Sequence, residues 1–194
     1  MVSSKAGSPL AMEIHATLSA LQGAFTPDYC ATVERSADAL ARALRGGGKL
    51  LIMGNGGSAA DAQHIAAELV GRYKVERRAL AAIALTTDSS ILTAWSNDYS
   101  YDTVFSRQVE ALARPGDIVM GLSTSGNSAN VVRAFESARQ IGVTTMGLLG
   151  RDGGKLLPLS DIAMVAPLAA TDQIQVAHLL TYHALCAHLD IVFQ

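Results

Sequence analysis

Five short apolar runs, Lys49–Met53, Ala82–Leu85, Asp117–Leu122, Thr144–Leu149 and Ile162–Ala166, punctuate the chain. They are short, continuous and set off by turn-forming residues, which predicts strands buried on both faces. Between them apolar positions recur at helical spacing in SAADAQHIAAELVGRY, DTVFSRQVEALA, NVVRAFESARQIG and QIQVAHLLTYHALCAHL. The first of these opens on Ser58, a residue suited to N-capping, and the third closes on Gly142. Two further amphipathic helices, about Ala11–Phe25 and Tyr29–Arg45, precede the first strand. Alternating strand and helix implies a three-layer αβα arrangement with a five-stranded parallel sheet covered on both faces. No linker, repeat or low-complexity tract interrupts the pattern. The expected organisation is a flexible extension over residues 1–9 and a single domain over 10–194.

Composition narrows the class. Hydrophobic residues make up 49% of the 194 and charged residues only 16%, a thin polar surface that favours burial between subunits. A formal charge of −2 supplies no basic field for nucleic acid or an anionic membrane. Cys30 and Cys186 are too few for a disulfide framework or a cysteine-based metal site. No apolar run reaches the length of a membrane span, and the opening MVSSKAGSP lacks the hydrophobic core of a secretory signal. A cytoplasmic protein is expected.

In a parallel sheet of this kind, chemistry gathers at the carboxyl ends of the strands, near the topological switch point. The first strand ends in GNGGSA, Gly54–Ala59, which matches the G-x-G-x-x-A dinucleotide fingerprint. Asp88 follows the second strand but lies farther along than the usual ribose-binding acid, which weakens a nicotinamide reading. The plainer alternative is a tight strand-to-helix turn in which glycine relieves steric strain. The third strand ends in STSGNS, Ser123–Ser128, with four hydroxyls before a helix start. Backbone N–H groups there are orphan donors and the helix dipole favours negative charge. Such a turn, lacking the lysine of a nucleotide-binding loop, suits a monophosphate.

His64 and Glu68, four residues apart, share one face of the helix that leaves the glycine turn. In the last helix Gln175, His178 and His183 carry further polar atoms. Two imidazoles, a carboxylate and an amide oxygen can surround a zinc ion tetrahedrally. Spacing leaves His178 and His183 as alternatives for the second imidazole. His15 and His188 are expected to be ordinary structural residues.

GNGGSAADAQHIAAEL, FSRQVEAL, GDIVMGLSTSGNSANV and GRDGGKL together resemble the sugar isomerase (SIS) domain family, and within it the phosphoheptose isomerases, from about Leu10 to the C-terminus. The resemblance implies a five-stranded, flavodoxin-like SIS fold assembled as a homotetramer with sites at subunit interfaces. It implies conversion of sedoheptulose 7-phosphate to D-glycero-D-manno-heptose 7-phosphate through an enediol, the first step toward nucleotide-activated heptose. It selects His183 over His178 and implies one zinc per subunit on His64, Glu68, Gln175 and His183. Glu68 and His183 become the proton-transferring pair. Asn55, Gly56, Gly57, Ser58, Ser123, Thr124, Ser125 and Ser128 match phosphate and sugar contacts. Asp98, Asp172 and Gln175 join them on the sugar, and Arg72 matches a basic residue near the site. Gln173, Val176 and Trp95 depart from the family pattern, around the site rather than at the four ligand positions. The alternative is a non-catalytic SIS-fold regulator of the type that associates with the bacterial replication initiator; those proteins lack the catalytic glutamate and the final histidine.

Overall fold

The computed structural model describes residues 8–194. Helices α1 (Pro9–Ala24) and α2 (Pro27–Arg45) lead into β1 (Leu50–Met53), α3 (Gly57–Val70) and β2 (Ala82–Ala84). Then come α4 (Ser89–Asp98), α5 (Val104–Leu112), β3 (Ile118–Ser123), α6 (Ala129–Ile141), β4 (Thr144–Gly150), β5 (Ile162–Ala166) and α7 (Thr171–Phe193). Ser8 and Thr26 cap α1 and α2 by accepting backbone N–H bonds, each with proline in the first turn. The expected extension therefore gives way to helix at Pro9; its residues 1–7 lie outside the described part.

The five strands pair in the order β2-β1-β3-β4-β5, all parallel. That order places the switch point between β1 and β3. Alternate residues of β1 feed two cores, because strand side chains alternate between faces. Leu50 and Ile52 join α1, α2, α3 and α7 in one, while Leu51 and Met53 meet α5 and α6 in the other. Burial on both sides explains why the central strands β1, β3 and β4 read as continuous apolar runs, whereas the edge strands β2 and β5 are only partly buried.

Three local features differ from the sequence expectations. Ser58 does not cap α3: the cap position is Gly56, at φ +56°, and Ser58 lies inside the helix, buried. The glycine turn starts the helix two residues early because only glycine takes that backbone angle readily. Helix α4 was not expected, since it buries no residue outright and so lacks a core stripe. Asp88 is its N-cap, accepting from the Ile91 N–H at 2.9 Å, and that role accounts for the acid that stood in the dinucleotide pattern. Finally, α7 has a mean hydropathy of 1.3 over an 18-residue window, enough by length and composition to cross a membrane. Its polar residues break the continuous run sought in the sequence, and it packs against α1, α2, α3 and the sheet.

Candidate active site

Helix α3 carries the centre of the site. It leaves β1 at the glycine turn, and Gln175 of α7 packs its amide against Gly57, where any Cβ would collide with Nε2. Two turns on, His64 places Nε2 3.0 Å from Glu68 Oε1. His64 Nδ1 lies 2.9 Å from the Tyr182 hydroxyl, which donates to Asp61 Oδ1 at 3.2 Å. A hydroxyl has one proton, so with that proton on Asp61 it accepts from His64 Nδ1–H. The 3.0 Å approach of Nε2 to Glu68 suits two arrangements, an imidazole N–H donating to the carboxylate or two ligand atoms facing one metal ion.

His183 completes the group. Its ring centroid is 5.1 Å from that of His64, and one ligand atom each from His64, Glu68 and His183 lie within 4.8 Å of one another. Tyr73, on the segment after α3, stacks on His183 at 5.3 Å. Burial and then the neighbouring His64 hold the His183 imidazole below the ordinary histidine range, which keeps it neutral and able to ligate or accept a proton. His178 faces the core instead. It is fully buried, both ring nitrogens lack a well-formed hydrogen bond, and burial lowers its pKa to about 4. The structure thus separates two histidines that spacing left open. The donor set fits zinc: two imidazoles and a carboxylate converge, and Asp61–Tyr182 orients one imidazole as an outer-shell partner does. Gln175 lies eight residues before His183, about 12 Å along the helix.

The serine turn lies at the other end of α3. Ser123 and Ser128 share a hydroxyl–hydroxyl hydrogen bond of 2.9 Å, and Ser125 Oγ accepts from the Asn127 N–H. Gly126, at φ +65°, presses against the Gly153 carbonyl, leaving no room for a Cβ, while its own carbonyl accepts from Leu156 N–H. The turn is therefore braced from behind. Neither α3 nor α6 has a side-chain cap at its N-terminus. The Ser58 and Ala59 N–H groups bond the Asn55 and Gly56 carbonyls, so among the described residues the orphan donors are the Gly57 N–H of α3 and the Ala129 and Asn130 N–H groups of α6.

Other expected site residues stay apart from these groups within one chain. Arg72 pairs with Glu76 at 3.0 Å on the surface, and Asp98 accepts from Asn97 at the end of α4. Asp172 is exposed in the first turn of α7. Among the described residues none of the three bonds to the His64 group or the serine turn. Sequence reading missed Tyr182, Asp61, Tyr73, Asn130 and Tyr101. Asp61 could have been found, three residues before His64 on the same helical face; the others become neighbours only through tertiary packing.

A parallel sheet with an uncapped, hydroxyl-rich turn at its switch point and an acid–imidazole group two turns down the adjoining helix is an α/β domain built to hold an anion beside a proton-transferring pair. The family model described as SIS domain matches residues 15–150. A phosphoheptose isomerase of Pelobacter propionicus is 63% identical over 147 residues, 76% of this chain and 78% of that protein. One from Crocosphaera subtropica is 53% identical over 173 residues, covering 89% and 88%. The solved phosphoheptose isomerase of Neisseria gonorrhoeae superposes with a TM-score of 0.89 at 43% identity, covering 94% of this chain and 97% of that one. The chain belongs to the phosphoheptose isomerases of the SIS domain family.

Proposed function

We propose that the protein is an aldose–ketose isomerase converting sedoheptulose 7-phosphate to D-glycero-D-manno-heptose 7-phosphate, the entry to nucleotide-activated heptose. The observation that carries this reading is the pairing of a braced anion-binding turn with the His64–Glu68–His183 group along one helix. The turn anchors the phosphate, with Asn55, Gly56, Gly57, Ser58, Ser123, Thr124, Ser125 and Ser128 as its contacts. Glu68 removes the proton from one of two neighbouring carbons and returns it to the other, passing through the enediol. His183 moves the proton between the two oxygens. Glu68 uses Oε1 toward His64, and Oε2, which has no hydrogen-bond partner among the described residues, is free for the carbon-bound proton. His64, Glu68 and His183 would hold one zinc ion per subunit, which when bound supplies a Lewis acid for a substrate oxygen; Gln175, the fourth ligand that the resemblance implies, would have to turn its amide from Gly57 toward them. The regulatory alternative is set aside, since Glu68 and His183 are both present and the relatives named above are isomerases by name. The two free cysteines, one exposed and one buried, suit the proposed cytoplasmic location.

Purified protein given sedoheptulose 7-phosphate is expected to form aldoheptose phosphate, with zinc co-purifying and His64→Ala losing the metal. No turnover by folded, zinc-loaded protein would refute the reading. Equal zinc in wild type and His64→Ala would refute the ligand assignment. Ser123→Ala or Ser125→Ala removes a donor to a charged group, worth about 1.5–3 kcal/mol, so KM should rise about ten-fold or more. If neither change weakens substrate binding, the phosphate sits elsewhere.

A homotetramer is part of the proposal. Leu10, Ile14 and Leu18 recur every four residues on α1 and are 76%, 56% and 53% exposed, an apolar stripe of the kind that marks an interface. Interfacial sites would also let a neighbouring copy supply Arg72, Asp98 or Asp172. Light scattering should give a mass near four times the 20.3 kDa chain; a single-chain mass at micromolar concentration would exclude it.

A further inference from the structure

Asn55, between the first two glycines of the turn after β1, makes a closed set of hydrogen bonds across the β1–β3 switch point. Its Nδ2 donates to Asn130 Oδ1 at 2.9 Å, and its Oδ1 accepts from Asn130 Nδ2 at 2.9 Å. The Tyr101 hydroxyl donates to the same Oδ1, also at 2.9 Å. Asn130 stands in the first turn of α6 and is only 3% exposed, whereas Tyr101, between α4 and α5, is 51% exposed.

An amide oxygen has two lone pairs and an amide nitrogen two protons. Both lone pairs of Asn55 are occupied, one by Asn130 and one by Tyr101. One of its two protons is occupied, by Asn130. What remains for a ligand is a single N–H donor and no acceptor. We infer that Asn130 and Tyr101 are positioning residues that lock Asn55 as a pure donor, so that it selects an acceptor oxygen of the substrate, whether carbonyl, enediolate or phosphate, over a sugar hydroxyl that must donate. Without Tyr101 one lone pair is freed, and Asn55 can then receive a hydroxyl or water in that place. This rests on the isomerase reading above, in which Asn55 touches the substrate.

The test is a double-mutant cycle with sedoheptulose 7-phosphate, using wild type, Tyr101→Phe, Asn55→Ala and the double variant, with thermal melting run alongside. Tyr101 is half exposed and keeps its ring in phenylalanine, so the melting temperature should hold. Loss of one neutral hydrogen bond predicts a fall in kcat/KM of about two- to ten-fold. In the Asn55→Ala background the same change should have no further effect, because the hydroxyl acts only through Asn55. Wild-type kcat/KM in Tyr101→Phe would overturn the inference, and so would an equal loss with and without Asn55. Wild-type kinetics in Asn55→Ala would instead remove Asn55 from the site and the isomerase contact set with it.

Discussion

Glu68→Gln is expected to lower turnover by about 10²–10⁴-fold with the fold intact, the usual size of a lost general base. The substitution keeps the length and shape of the side chain and one oxygen for His64, so α3 has no reason to unwind. It removes the carboxylate that takes the carbon-bound proton, and it also puts a neutral amide where His64 Nε2 now faces a negative oxygen at 3.0 Å. Zinc content must therefore be measured on the same preparation. The decisive measurement is exchange of solvent deuterium into the substrate, which reports proton removal even when overall conversion is slow. Folded, zinc-loaded Glu68→Gln with wild-type exchange and turnover would transfer the base role to His183.

The second large effect is on stability. Asp190→Ala should destabilise the protein by about 3–5 kcal/mol, because it strands a buried cation. Asp190 near the end of α7 pairs with Arg77 Nε at 3.0 Å, with side-chain exposures of 3% and 0%. Its other oxygen accepts from the Lys74 and Val75 N–H groups at 2.6 and 3.1 Å. Arg77 in turn donates to the carbonyls of Glu68 and Leu69 at 2.6 and 3.0 Å, finishing the C-terminal end of α3. Urea unfolding would register the loss as a lower midpoint at unchanged slope. An unshifted midpoint would contradict it. Replacing both partners with apolar residues should recover part of the loss, since no charge is then left buried alone. The pair also carries a pH signature. Burial pushes the Asp190 carboxyl up, but the two backbone donors and the Arg77 guanidinium outweigh it and hold the group below the usual carboxylate range. A depressed folded value means the contribution is complete at neutral pH and is lost as pH falls below about 4.

Neither Asp190 nor Arg77 could be singled out in the sequence. They lie 113 positions apart, and nothing in their neighbours marks a buried ion pair. The Asn55–Asn130 pair, 75 positions apart, is hidden for the same reason. The strands, by contrast, were legible almost to the residue, because burial on both faces leaves an unbroken apolar run in β1, β3 and β4 and the edge strands are short apolar stretches between turn-forming residues. Helix α4 was not: it buries no residue fully, so no periodic stripe betrays it, and it is held by its Asp88 cap and from outside by Thr103, which accepts from Trp95 Nε1 at 2.8 Å, and by the Arg107 guanidinium over the Trp95 ring.

By itself the sequence determined the alternation of strand and helix, the glycine-rich and hydroxyl-rich turns at the switch point, and the His64–Glu68 pair on one helical face. All are consequences of local periodicity and backbone preference, which act over a few residues. Only the tertiary structure decided which histidine of α7 meets that pair, since α7 turns His178 into the core and His183 toward α3. It also placed a tyrosine hydroxyl from 118 positions away against His64 Nδ1, and Asn130 and Tyr101 against Asn55. Those properties depend on which groups the fold brings within hydrogen-bond distance, and no periodicity in the chain encodes that distance.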